Sequence, residues 1–178
     1  DLAAWILDRG PRPIIWADMV LQHPDKLSTL PRQLVMNDWN YRGMDRYAWS
    51  STMLYNQGIV THETLAQVPR PLRERYEKYW LHPSTAPDFT PFPHVRYLQD
   101  QGFDVIGASA ASDHVGKLAV TRFGDRISNN KYFARAVRDA GAMGLISTYW
   151  SGSRALLSAM HGVLAGASYG WHFVEEGE

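Results

Sequence analysis

Short apolar runs alternate with segments of helical periodicity along the chain. Four of these runs are apolar at their start and polar at their end, which predicts buried strands at residues 14–19, 34–41, 103–110 and 144–150. Apolar residues at helical spacing predict helices at residues 1–9, 94–101, 130–140 and 153–169, with a short helix or turn at 20–30. Strands that alternate with helices in this way are typical of a parallel sheet with right-handed crossovers.

A long segment separates the second predicted strand from the third. It spans residues 42–101, with a charged and aromatic helical pattern within 61–80 and a Pro-rich loop at 82–93. We therefore expect it to form an insert that contains helices. Ser128 or Asn129 is expected to cap the helix that follows the third strand.

Four parallel strands fit either a small open α/β sheet or half of a barrel. A complete (β/α)8 barrel takes about 250 residues, and this chain has 178. Length and periodicity together predict a single domain over residues 1–178, which is long enough to bury a core of its own.

Composition excludes several classes of function. Lys plus Arg and Asp plus Glu both number 18, so the chain lacks the surplus of cations with which proteins bind nucleic acid. No run of 18 apolar residues is present, and we expect no association with a membrane. The absence of Cys excludes disulfides, thiolate metal sites and Cys nucleophiles. The seven His never pair at i, i+3 or i, i+4, so we expect neither a metal site nor a cofactor.

Aromatic side chains gather at the ends of the predicted strands. Trp16, Trp39 and Trp150 each stand at a carboxyl end, where parallel α/β folds bind their ligands. Indole faces cover the C–H patches of a sugar, and carboxylates accept hydrogen bonds from its hydroxyl groups. Side-chain alternation is expected to place Trp16 with Asp18, and Trp39 with Tyr41. We predict a carbohydrate site formed by Trp16, Asp18, Asp38, Trp39, Tyr41, Ser109, Tyr149 and Trp150.

Three other interpretations remain open from the residues alone. The tryptophans could fill the top of a barrel while Asp18 and Asp38 cap adjacent helices, in which case no ligand is involved. Residues 107–117 follow a strand as a phosphate loop of a small flavodoxin-like sheet would, but they lack the G-x-x-x-x-G-K-[ST] spacing that builds the phosphate cradle. A non-catalytic carbohydrate-binding or interaction module would use the same tryptophans as an enzyme.

Five segments, in their order, resemble the second half of a glycoside hydrolase family 20-like catalytic barrel. They are PIIWADM, VMNDWNY, GFDVIGASA, an Asn-rich helix start and GLISTYWS. The family comprises the β-N-acetylhexosaminidases and their hexosaminidase D-like relatives. The resemblance covers most of the chain and implies strands five to eight of a (β/α)8 TIM barrel, a C-terminal half-barrel in which residues 42–101 form an insert after the second strand present.

The resemblance also implies a reaction and a set of contacts. Family members hydrolyse a terminal N-acetylhexosamine with retention, and the substrate's own acetamido oxygen is the nucleophile. The three strand-end tryptophans match the residues that wall the acetamido pocket. Asp18, Asp38 and Tyr41 match positions that contact hydroxyl or acetamido groups.

One departure from the family concerns the proton donor. The family's adjacent Asp-Glu pair belongs to strand four, and no Asp-Glu dipeptide occurs in this sequence. We therefore assign no catalytic residue, expect the general acid upstream of this chain, and expect the chain alone to be inactive. A half-barrel exposes two strand edges and an apolar face, so we expect the N-terminal half of the same barrel, or a second copy in a homodimer, to cover them.

Overall fold

Four parallel strands form the main sheet in the part of the chain that the structure describes. The computed structural model describes residues 2–41, 51–55, 58–80, 89–112, 123–150 and 159–172. Its strands are β1 (Ile14–Trp16), β2 (Val35–Trp39), β3 (Ser51–Leu54), β4 (Gly58–Thr61), β5 (Asp104–Ser112) and β6 (Gly144–Tyr149). Its helices are α1 (Leu2–Leu7), α2 (Ala17–Gln22), α3 (Arg70–Trp80), α4 (Pro93–Asp100), α5 (Phe123–Ala140) and α6 (Met160–Trp171), with 3-10 turns at Pro24–Thr29 and Leu65–Gln67.

The strand order of the main sheet is β1-β2-β5-β6, and every neighbouring pair is parallel. The mixed α/β class and the four strands expected from the sequence are therefore confirmed. The insert at 42–101 contains the helices α3 and α4, but it also contains an antiparallel hairpin, β3–β4, that the sequence analysis did not predict. Residues 82–88 of the predicted Pro-rich loop and residues 153–158 of the last predicted helix lie outside the described residues.

Alternation along the strands gives the main sheet two faces with different surroundings. The helix face carries residues such as Met36 and Val105, which are paired in register and packed in the core against α4 and α5. The second face carries Ile14, Trp16, Val35, Asn37, Trp39, Ile106, Ala108, Ala110, Ile146 and Thr148. Ile14 is 53% exposed and Ile146 is 39% exposed, so the second face has exposed apolar side chains at both edge strands.

Close packing joins α5 and α6 to β5 on the helix face. Phe133 of α5 stacks on Phe92 with ring centroids 4.1 Å apart, and both rings are buried. A Cβ on Gly107 would lie 2.6 Å from the side chain of Val137, and a Cβ on Gly162 would lie 2.4 Å from the backbone of Ala111. Glycine therefore lets each helix approach the strand more closely than any other residue would allow.

Two helices begin earlier than the sequence predicts. α2 begins at Ala17, so β1 ends at Trp16, and Asp18 lies in the first turn of a helix. The expected sharing of a strand face by Trp16 and Asp18 is therefore wrong. α5 begins at Phe123, and Asn129 is buried inside the helix instead of capping it.

Candidate functional site

Aromatic rings from three strands meet at the carboxyl-terminal edge of the main sheet. Trp16 lies beside Trp150, with ring centroids 5.7 Å apart, and Trp150 lies 6.4 Å from Tyr41. Tyr41 in turn lies 5.0 Å from Trp39. These four residues are called the aromatic rim below. The structure thus brings the three strand-end tryptophans into one continuous cluster.

Hydrogen bonds orient the indole of Trp150 within the rim. Its N–H donates to the hydroxyl of Tyr41 at 2.6 Å and to Oγ1 of Thr148 at 2.8 Å. The hydroxyl of Thr148 donates to the carbonyl oxygen of Ser109 at 2.7 Å. These bonds link β6 to β5 and to the residues that follow β2.

The rim leaves indole surface accessible to solvent. Trp16 is 41% exposed and Trp150 is 42% exposed, while Trp39 and Tyr41 are half-buried. Rings that serve only to fill a core have no such exposed surface. Neighbouring exposed indoles edged by hydroxyl groups suit a ligand that has both C–H patches and polar groups.

Buried polar side chains of α5 hold the strand ends beneath the rim. Asn129 accepts a hydrogen bond from the N–H of Ala110 at 3.0 Å and donates to the carbonyl oxygen of Asn40 at 2.8 Å. Arg126 donates to the carbonyl oxygen of Tyr41 at 3.1 Å. The pairing of β5 with β6 is irregular at this end, and these side chains bond the backbone there.

Buried titratable groups lie behind Trp39, on the helix face. The carboxyl of Asp38 and the imidazole of His94 are both almost completely buried, with Oδ1 and Nδ1 3.9 Å apart. Burial raises the pKa of Asp38 to about 8, against the opposing effect of a hydrogen bond with Tyr55. Burial lowers the pKa of His94 to about 3. At neutral pH both groups are uncharged, so the two residues do not form an ion pair.

The remaining predicted site residues lie away from the exposed indoles or point elsewhere. Asp38 is buried among the helices, and Asp18 on α2 is half-buried and close enough for its charge to raise the pKa of Asp38. Ser109 faces α5, where its buried hydroxyl donates to Oδ1 of Asn130 at 2.6 Å. Tyr149 is half-buried, and alternation along β6 directs it away from the second face.

Sequence reasoning missed Tyr55, which directly follows β3. Its ring meets Trp39 edge-on with centroids 5.6 Å apart and stacks on His94 at 4.9 Å. Its hydroxyl donates to the carbonyl oxygen of Trp39. The sequence does hold a signal for this region, since apolar and β-branched residues flank Asn56-Gln57-Gly58, a pattern typical of a hairpin.

Three comparisons with known proteins found no match: the chain matches no protein-family model, and no curated protein or solved structure matches it. Within the described ranges, no group of three or more His, Cys, Asp or Glu could hold a metal ion. None of the helices in that part of the chain is long and apolar enough to cross a bilayer. The geometry of the aromatic rim is therefore the basis for assigning a function.

Proposed function

We propose that the aromatic rim binds the pyranose ring of an N-acetylhexosamine, as the sugar-binding part of a glycoside hydrolase. The observation that carries this proposal is the contact of Trp16 with Trp150, two exposed indoles 5.7 Å apart. Their faces offer a stacking surface for sugar C–H groups, and the hydroxyls of Tyr41 and Thr148 stand beside it. The site would lie at the carboxyl ends of the strands, where α/β proteins bind ligands.

We further propose that the main sheet is half of a (β/α)8 barrel whose interior is the second face. β1 and β6 are separated by three strand spacings, roughly 14 Å across a flat sheet. The rings of Trp16 and Trp150, which come from these two strands, nevertheless touch. Their contact supports a sheet that curves toward the second face. The strands lie in the sheet in the order in which they occur in the chain, and α4, α5 and α6 pack on the helix face. Both features support a half-barrel.

In this proposal the chain binds and orients the sugar, and none of its residues is assigned as catalytic. The sequence contains no Asp-Glu pair, and Asp38 is uncharged and buried on the helix face. The general acid would therefore come from outside this sequence. The substrate's acetamido oxygen would be the nucleophile, and indoles packed around the sugar would favour the geometry of that attack.

A non-catalytic carbohydrate-binding module is the second candidate function. The placement of Asp38 favours it, because this strand-end carboxyl group lies beside His94 of α4 and not on the rim. Such a module would bind the same sugar through the same indoles and would need no proton donor. The two candidates therefore differ in hydrolysis and not in binding.

Removal of one exposed indole tests the binding site. We expect Trp16→Ala and Trp150→Ala each to weaken binding of N-acetylglucosamine by ~1–3 kcal/mol, through loss of the aromatic contact and of its buried area. Binding is measured by NMR titration of the 15N-labelled chain. Trp171→Ala is the matched control: Trp171 is 93% exposed at the end of α6, and its removal should leave the affinity unchanged.

Unchanged affinity in both rim variants would contradict the proposal and leave the rim as a purely structural cluster. Hydrolysis of a chromogenic N-acetylglucosaminide then separates the two candidates. We expect the chain alone to be inactive. Turnover by the full-length gene product would support the hydrolase, whereas sugar binding without turnover by that product would support the module.

A further inference from the structure

Tyr55 connects the insert at 42–101 to the sugar site proposed above. We propose that Tyr55 is a positioning residue of that site, which sets the orientation of the Trp39 indole through a hydrogen bond and a ring contact. The inference rests on the proposed function for its ligand, but the position of Trp39 can be measured without any ligand. Tyr55 itself would not touch the sugar.

Two contacts reach from Tyr55 to Trp39. The hydroxyl donates to the carbonyl oxygen of Trp39, and the ring edge packs on the indole with centroids 5.6 Å apart. The hydrogen bond fixes the backbone from which the indole projects, and the ring contact limits the rotation of the indole itself. Trp39 then packs on Tyr41 at 5.0 Å, so its orientation reaches the exposed part of the rim.

The surroundings of Tyr55 hold its ring in place from the other side. His94 of α4 stacks on it at 4.9 Å with an interplanar angle of 30°, and Tyr76 of α3 packs edge-on against the same imidazole at 5.5 Å. Thr52 of β3 donates to the carbonyl oxygen of Thr90, which ties the hairpin to the segment before α4. The insert thus holds the ring of Tyr55 in place against the Trp39 indole of the aromatic rim.

An unbroken line of rings results from these contacts. It runs from His94 through Tyr55, Trp39 and Tyr41 to Trp150, with successive centroid distances of 4.9, 5.6, 5.0 and 6.4 Å. The first two rings are supplied by the insert and the others by the edge of the main sheet. The insert therefore acts as the support that sets the shape of the proposed sugar-binding surface.

The Tyr55→Phe variant tests this role, because it keeps the ring and removes only the hydroxyl. We expect binding of N-acetylglucosamine to weaken by about three- to tenfold, the range for losing one hydrogen bond that orders a binding group. In chain labelled with 5-fluorotryptophan, we expect the 19F resonance of Trp39, assigned by its loss in Trp39→Phe, to shift while the resonances of Trp5 and Trp171 stay in place.

Two control variants distinguish positioning from a general disturbance of the buried cluster. Tyr79→Phe removes a hydroxyl that donates to Asp100, and Tyr76→Phe removes the hydroxyl of a ring that contacts His94 and Tyr97. We expect both to bind the sugar within about twofold of the unmodified chain, a difference below one hydrogen bond. Equal weakening in all three variants would overturn the proposal, because it would assign the cluster to stability alone.

Further results for Tyr55→Phe and for the unmodified chain would also support or overturn the positioning role of Tyr55. Normal affinity and an unmoved Trp39 resonance in Tyr55→Phe would overturn the positioning role, and so would failure of that variant to fold. If the unmodified chain binds no sugar, the proposed function fails. A shifted Trp39 resonance would then still support the positioning of the indole by Tyr55.

Discussion

Burial decides which polar residues of a strand end can meet a ligand. Asp38 and Trp39 are neighbours in β2, but alternation places the carboxyl beside His94 and the indole beside Tyr41. The sequence predicts both residues in the site, because it shows that both lie at the end of a strand. It does not show which face of the sheet the helices cover. The meeting of the tryptophans could therefore be predicted, whereas the burial of the Asp38 carboxyl group could not.

The buried state of Asp38 predicts how stability changes with pH. The folded chain keeps this proton up to about pH 8, whereas the unfolded chain releases it near pH 4, so stability falls as the pH rises between these values. Folding lowers the pKa of His94, so the contribution of His94 to stability increases with pH up to about pH 6.5. Below that pH it offsets the loss of stability caused by Asp38. Between about pH 6.5 and 8 we expect a loss on the order of 2 kcal/mol, which Asp38→Asn should abolish.

Urea unfolding of the two chains at several pH values measures this difference. Asp100→Asn is the control, since hydrogen bonds from Tyr79 and Lys78 lower the pKa of Asp100 and leave it ionised in both states throughout that range. The Asp100→Asn substitution should change the free energy of unfolding by the same amount at every pH within that range. An identical pH slope in the Asp38→Asn and unmodified chains would show that Asp38 does not keep its proton.

At the scale of elements, tertiary contacts change the role of residues that resemble helix caps. Asn129 and Asn130 favour a helix start in the sequence because their side chains bond free backbone N–H groups. In α5 both are buried well inside the helix, where Asn130 accepts hydrogen bonds from Ser109 and Ser147 of neighbouring strands. Local propensity cannot predict this use, since the partners are far away in the sequence.

The contact of α6 with β5 makes Gly162 sensitive to substitution. We expect Gly162→Ala to lower the free energy of unfolding by about 1–3 kcal/mol, the usual cost of overpacking a buried site. The added Cβ would lie 2.4 Å from the backbone of Ala111, which cannot rotate away as a side chain can. Chemical denaturation of the purified variant measures the change.

Gly170 provides the matched control in the same helix. A Cβ at this position meets nothing within 4 Å. Gly170→Ala should therefore be neutral or stabilising by up to about 1 kcal/mol, because alanine favours the helix. Equal stability of the two variants would show that α6 does not pack against β5 as closely as described.

At the scale of the molecule, the main sheet could be predicted because each of its strands is a short apolar run followed by polar residues. The hairpin β3–β4 was missed because its short strands are stabilised by distant contacts, with Leu54 and Val60 buried in the core. Whether the sheet continues into a barrel depends on what covers the second face. The periodicity of the sequence carries no information on what covers that face.

Exposed apolar residues on the second face predict that the isolated chain associates. Ile14 and Ile146 are exposed on the two edge strands, beside Trp16 and Trp150. We expect sedimentation velocity to give a mass above 20.2 kDa that increases with concentration. Ile146→Lys should reduce this association, because it places a charge on the apolar face.

Leu164→Lys serves as the control for that substitution. Leu164 is 62% exposed on α6, on the helix side of the sheet, and its replacement should leave association unchanged. A chain that remains monomeric at every concentration would contradict the expectation and show that the second face is stable in water. Equal effects of the two lysines would locate the contact elsewhere.

The consecutive order of the strands bears on how the protein is made. Each strand of the main sheet after β1 pairs with one that leaves the ribosome before it, so the sheet can grow in one direction without waiting for a later strand to enter between two others. A nascent chain that ends at Ser112 already contains β1, β2 and β5, with the neighbours that they keep in the finished protein.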